Sequence, residues 1–240
     1  MREHLPQRRP GPGAPRPGSA SDLRVLFLGS SLTYNNDMPL LVQAFAREVG
    51  KRIEVMTVAK GGFSFEDHCN RGAALSTIRK GSWNFVVMQQ GPSTLPASRR
   101  NMREWGRRLA GHIREAGARP ALYMVWPGED RLAYFDEVRT SYQLAAEDVD
   151  GMLIPAGEAW RAAWKRDPDI PLYRKDREHP SPTGSFLVAL SIFGMLFSRS
   201  PVGLPARVRL SNGTFAQVPP GLATILQESA AEANEAYGRR

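Results

Sequence analysis

Cysteine is nearly missing: Cys69 is the only one in 240 residues, so no internal disulfide framework can brace the fold. That lack points to a cytoplasmic protein. Long apolar runs are missing as well. None approaches the roughly 20 residues that a helix needs to cross a bilayer. Nor is a secretory signal readable, because residues 1–22 (MREHLPQRRPGPGAPRPGSASD) hold Pro, Gly and Arg but no apolar core. So little apolar surface cannot offset the entropy of ordering, and this stretch is expected to be a disordered tail or an upstream extension. It precedes one domain over 23–240. A Gly-x-x-x-x-Gly-Lys-[Ser/Thr] loop and a Gly-x-Gly-x-x-Gly turn are both absent, which leaves nucleotide binding without support. A Gly-x-Ser-x-Gly elbow is absent too, against the α/β-hydrolase fold.

What remains has the make-up of a folded globular chain, 42% apolar and 23% charged. Its formal net charge is +8. In the tail Arg2, Arg8, Arg9 and Arg16 face only Glu3 and Asp22, so most of the excess belongs to the body. There it is spread out, as in Arg99, Arg100, Arg103, Arg107 and Arg108. Such spacing reads as a solvated basic face rather than a phosphate-tracking groove, so no nucleic-acid partner is expected.

From Leu23 onward short apolar runs alternate with amphipathic stretches. Residues 25–28, 53–58, 85–88, 121–125 and 152–154 read as strands. Helices are expected over 38–49, 98–116, 132–146, 158–164, 182–197 and 222–236. The clearest is 98–116, where Met102, Trp105, Leu109, Ile113 and Ala116 recur at three- and four-residue spacing. This alternation predicts an α/β fold: a three-layer α/β/α sandwich with a central five-stranded parallel sheet. Ligands in such folds bind beyond the carboxyl ends of the strands. Chemistry should therefore sit just after strands.

Ser31 follows the first strand directly, in Gly29-Ser30-Ser31-Leu32-Thr33. Taken alone, serines and a threonine there are turn and capping residues. Near the other end lies Asp176-Arg177-Glu178-His179-Pro180-Ser181. A carboxylate three residues before a histidine can hold its Nδ1 proton, leaving Nε2 to accept a proton from a hydroxyl. Taken alone, this is equally a polar loop before a capped helix. His68, in Glu66-Asp67-His68-Cys69, matches no zinc spacing and is expected to bond locally, with a supporting role near Gly62 as the lesser option. His112 reads as a packed or half-exposed helix residue, and His4 lies in the tail.

The combination resembles the SGNH, or GDSL-type, hydrolase superfamily, whose fold is flavodoxin-like. Gly29-Ser30-Ser31-Leu32 matches its Gly-Asp-Ser-Leu block, Gly61-Gly62-Phe63-Ser64 its second block, and Asp176 to Ser181 its last. The resemblance runs from Leu23 to about Pro201. It implies a serine ester hydrolase with Ser31, His179 and Asp176 as catalytic triad and the N–H groups of Ser31 and Gly62 in an oxyanion hole. Two departures stand out. Ser30 replaces the usual acid or amide before the nucleophile, and Gly91-Pro92-Ser93 stands where Gly-x-Asn-Asp belongs. The side-chain donor of the hole would then be Ser93 or Gln89.

Tyr34 and Trp126, which follow strands one and four, are expected either to line the substrate site or to pack at the sheet edge. The chemistry implied is acyl transfer without metal or cofactor, on small or carbohydrate-linked esters such as O-acetyl groups. No long insertion suggests a lid, so a shallow, open site is expected. Two other readings stay open: a non-catalytic binder of glycans or acylated ligands, and a nucleic-acid-associated protein.

Overall fold

Strands buried on both faces need apolar side chains on both, and β1 (Leu23–Gly29) has them: Val25, Leu26, Phe27 and Leu28 are wholly buried. In the computed structural model, which describes residues 23–237, β1 lies beside β2 (Ile53–Ala59) and β3 (Phe85–Met88). β4 (Arg119–Tyr123) and β5 (Met152–Ile154) extend the sheet past β3. All four pairings are parallel, in the order β2-β1-β3-β4-β5. The chain goes one way from β1 to β2 and returns to the other side for β3. The switch point, where an open α/β sheet leaves room for a ligand, therefore lies between the ends of β1 and β3. The expected tail over 1–22 falls outside the described residues.

One face of the sheet is covered by α2 (Met38–Glu48), α7 (Ala156–Arg166), α8 (Pro182–Phe197) and α9 (Pro220–Tyr237), which pack on one another. The other carries α3 (Phe65–Arg71), α4 (Ala74–Lys80), α5 (Pro96–Glu115) and α6 (Phe135–Asp148). The three-layer sandwich is thus present. Among the described residues no helix is long and apolar enough to cross a membrane.

Several details differ from the sequence reading. α5 starts two residues earlier than expected, at Pro96, whose fixed φ suits a first helical turn. β4 starts at Arg119 and ends at Tyr123, with Met124 N–H still bonded to the Ile154 carbonyl, 2.8 Å. Helices α3 and α4 were not anticipated, nor was the hairpin of β6 (Arg207–Arg209) and β7 (Phe215–Gln217). The arginines of α5 are not simply solvated: Arg103 and Arg107 converge on Asp148, Arg99 meets Glu137 and Arg108 meets Glu104.

Candidate active site

β1 delivers Gly29 to the carboxyl edge of the sheet, and the chain turns at once into α1 (Ser31–Tyr34). Ser30 is extended and caps this short helix, and the Thr33 N–H bonds back to the Ser30 carbonyl at 3.0 Å. Beneath the turn sits Gln89, wholly buried. Its Oε1 accepts from Ser30 N–H at 2.9 Å and from the Thr33 hydroxyl at 2.8 Å, while its Nε2 donates to Ser30 Oγ at 2.9 Å. The Gly29 carbonyl accepts from Lys60 N–H and from His68 Nε2, 2.9 Å away. A carbonyl only accepts, so the proton of His68 is on Nε2, and its buried Nδ1 has no partner among the described residues. Burial pushes the His68 imidazole below its ordinary range, which keeps it neutral. The sequence predicts local bonding for His68; its side chain instead grips Gly29, 39 positions away, the residue before the Ser30-Ser31 turn.

The other half of the site is the loop that leads into α8. Ser181 caps that helix, accepting from Gly184 N–H at 3.0 Å. Tyr173 pairs with Pro180 across the loop, and Arg174 N–H reaches the His179 carbonyl. Asp176 Oδ1 accepts the N–H groups of Glu178 and His179 at 3.0 and 2.9 Å. Its Oδ2 lies 3.1 Å from His179 Nδ1. The His179 N–H, then that of Glu178, hold the Asp176 carboxyl below the usual carboxylate range. A carboxylate so held stays ionised beside the imidazole.

These two halves meet. Ser31 Oγ lies 2.9 Å from His179 Nε2, although 148 positions separate them. Asn36, a left-handed residue at φ 55°, joins the halves again: its Nδ2 donates to the Pro180 carbonyl and to Ser185 Oγ, and its Oδ1 accepts from Arg174. Sequence reading did not single it out, although asparagine is one of the few residue types that adopt positive φ readily. The arrangement is chemically simple. An ionised carboxylate orients an imidazole, and that imidazole faces a hydroxyl at the mouth of the sheet.

Gly62 takes φ +75°, and neither its N–H nor that of Ser31 has an acceptor among the described residues. Ser93 Oγ donates to the Gly91 carbonyl at 3.1 Å and accepts from Gln90 Nε2, so its one proton is already engaged. The expectation that Gln89 reaches into the site needs correcting. With no exposed surface and its amide bonded to Ser30 and Thr33, it cannot touch a substrate. Of the two expectations for Trp126, lining the site does not hold and packing does: it is 1% exposed, stacks on Trp160 at 3.7 Å, and donates to the Glu178 carbonyl, so it supports the histidine loop from within. Tyr34 is 44% exposed near Gly61 and stays available to a ligand.

The site is open. The Asp176 and His179 side chains keep 47% and 32% of their surface. A cavity of about 1120 Å³ lies at the opposite rim, along Phe85, Pro120 and Met152 at the starts of β3 to β5. A smaller cleft of about 470 Å³, between Leu132, Trp164 and Tyr173, touches the histidine loop through Arg174.

No family model and no curated protein matches the sequence. Solved structures do match. A protein from Slackia heliotrinireducens, provisionally named an SGNH hydrolase, superposes with a TM-score of 0.60 at 27% identity, over 71% of this chain and 97% of its own. A DUF4886 family protein from Bacteroides uniformis gives 0.72 at 17% identity, over 91% of this chain and 96% of its own. An acetyl-xylooligosaccharide esterase from Geobacillus gives 0.58 at 14% identity, over 72% and 93%.

Proposed function

We infer that this chain, which belongs by fold to the SGNH hydrolase superfamily, is a serine ester hydrolase in which Ser31 is the nucleophile. The observation that carries this reading is the row of contacts from Asp176 through His179 to Ser31, at 3.1 and 2.9 Å. His179 takes the Ser31 proton as the hydroxyl attacks an ester carbonyl, and returns it to the departing alcohol. Asp176 holds the imidazole in the tautomer that leaves Nε2 free to accept, and stabilises the imidazolium that forms. The N–H groups of Ser31 and Gly62 receive the oxyanion, and water then cleaves the acyl-enzyme. With the Ser93 hydroxyl bonded to Gly91 and Gln89 buried, neither supplies a side-chain donor to this hole. Removing one such donor typically costs about 10²–10³ in turnover, so slow hydrolysis is expected.

The exposed site favours short acyl groups on bulky alcohols over long chains that need a tunnel. O-acetylated oligosaccharides are therefore the first substrates to test, alongside p-nitrophenyl acetate and its longer homologues. Wild type should prefer acetyl esters, and Ser31→Ala should fall to the uncatalysed rate. Equal background rates for both proteins on every ester would end this reading. The engaged Ser93 hydroxyl gives a second reading some support: a binder of acylated glycans without turnover. A fluorophosphonate probe separates the two, since it labels Ser31 in an enzyme and leaves it untouched in a binding protein.

A further inference from the structure

We propose that Gln89 is a positioning residue: its buried amide fixes the turn that carries Ser31 and so aims the hydroxyl at His179. The inference rests on the hydrolase reading for its effect on rate, but its structural core can be tested without it. Gln89 stands just past β3, in the middle of the sheet and directly beside the end of β1. Its own N–H bonds to the Leu28 carbonyl, so its backbone is tied to the strand that leads into the turn. Its side chain then grips both sides of Ser31. Ser30 is held through N–H and Oγ, and Thr33 through its hydroxyl.

Only one orientation of the amide fits. The Ser30 N–H can only donate, so Oε1 must face it, and Nε2 is left to donate to Ser30 Oγ. Thr33 gives its proton to the same Oε1, which leaves Tyr123 as the donor in the 2.9 Å contact between their hydroxyls. Burial pushes the Tyr123 phenol up, so that proton stays in place. The chain of donors thus runs from Tyr123 on β4 to Thr33, then to Gln89 just past β3, and ends at Ser30 Oγ in the turn.

Packing is as tight as the bonding. A Cβ added to Gly29 would come 2.1 Å from Thr33 Oγ1 and 2.4 Å from Gln89 Oε1, so the backbone rests almost directly on the network. The long side chain of Gln89, just past the end of β3, thus braces Ser30. Rate is sensitive to such bracing, because a displacement near 1 Å of a reacting group can cost on the order of 100-fold.

The test compares wild type with Gln89→Leu, Gln89→Glu and Thr33→Val. Crystal structures report the Ser31 Oγ to His179 Nε2 distance, melting reports folding, and p-nitrophenyl acetate reports kcat and KM. Gln89→Leu should lengthen the 2.9 Å contact and lower kcat by roughly 10- to 100-fold with KM within about twofold. Gln89→Glu should restore most of kcat, since a protonated carboxyl copies the amide with one oxygen accepting and the other donating. Thr33→Val removes one of the donors at little change in shape, and reads the same link if the leucine variant does not fold. A contact still at its wild-type length in Gln89→Leu or Thr33→Val, with kcat unchanged, overturns the proposal. If wild type itself proves inert toward every ester, the hydrolase reading fails. The distances in the variants then decide the positioning claim alone.

Discussion

At the scale of single residues, His68 shows how burial turns a titratable group into a fixed strut. It is 1% exposed and donates to the Gly29 carbonyl, and desolvation outweighs that bond to hold its imidazole below the ordinary histidine value. In the unfolded chain it protonates at about pH 6.5, whereas in the fold it resists. Below that pH the unfolded state binds more protons, so stability contributed by neutral His68 is present above about pH 6.5 and is lost as pH falls. Denaturant melts between pH 5 and 7 should therefore show wild type weakening toward acid. His68→Gln, whose amide can still reach Gly29 but does not titrate, should weaken less steeply. Identical slopes would show that His68 titrates alike in both states. The same residue marks a limit of sequence reading. The sequence suggests only a local bond, whereas its partner lies 39 positions away and nothing in the residue type reveals it.

Elements were legible where they are long or wholly buried. The strand at Phe85–Met88, buried throughout, matches its expected bounds, because a continuous apolar run between Asn84 and Gln89 has few other homes. Met152–Ile154, short and only partly buried, matches as well, set off by Gly151 and Pro155. α3 and α4, at seven residues each, give too few turns for a helical period to stand out. The Ser64–Asp67 capping box that starts α3 is a signal the sequence reading did not use. Trp126 could be placed at a strand end but not turned inward or outward, since that depends on Trp160 in α7 lying beneath it. The start of α8 offers a sharper test of an element's role. A Cβ on Gly184 would lie 2.3 Å from the Leu172 carbonyl oxygen and 2.7 Å from Trp160 Cζ2. That carbonyl also accepts from Ser181 N–H, so neither it nor the helix can shift alone. Gly184→Ala should thus cost about 1–3 kcal/mol, the range for overpacked cores. In a chain of this size each kcal/mol lowers the melting midpoint by roughly 2–4 °C. A midpoint equal to wild type would mean that α8 is free to slide, and the anchoring of the histidine loop would need another explanation.

Over the whole molecule, the site depends on bringing the first and last thirds of the chain to one rim of the sheet. Parallel topology makes this possible: every strand ends at the same edge, and the switch point between β1 and β3 opens a gap there. That much could be read from strand spacing and from the Ser31 and Asp176–His179 motifs. The fastening between the two parts could not, because it falls to Asn36, which looks in sequence like one more polar turn residue. Its side chain uses three partners in the late segment, Pro180, Ser185 and Arg174. Asn36→Asp isolates that role. Aspartate tolerates the left-handed backbone and can still accept from Arg174, but it cannot donate to the Pro180 carbonyl and sets one oxygen against another. The loop next to His179 should retreat from Ser31. We expect kcat/KM for p-nitrophenyl acetate to fall about 10-fold or more, with melting only modestly lowered. Asn36→Ala is the poorer probe, since a left-handed alanine adds roughly 1–2 kcal/mol of backbone strain to whatever the lost contacts cost. If Asn36→Asp melts earlier yet hydrolyses esters at the wild-type rate, the contacts stabilise the fold without aligning the site. The Ser31–His179 approach would then be held by the sheet and α8 alone.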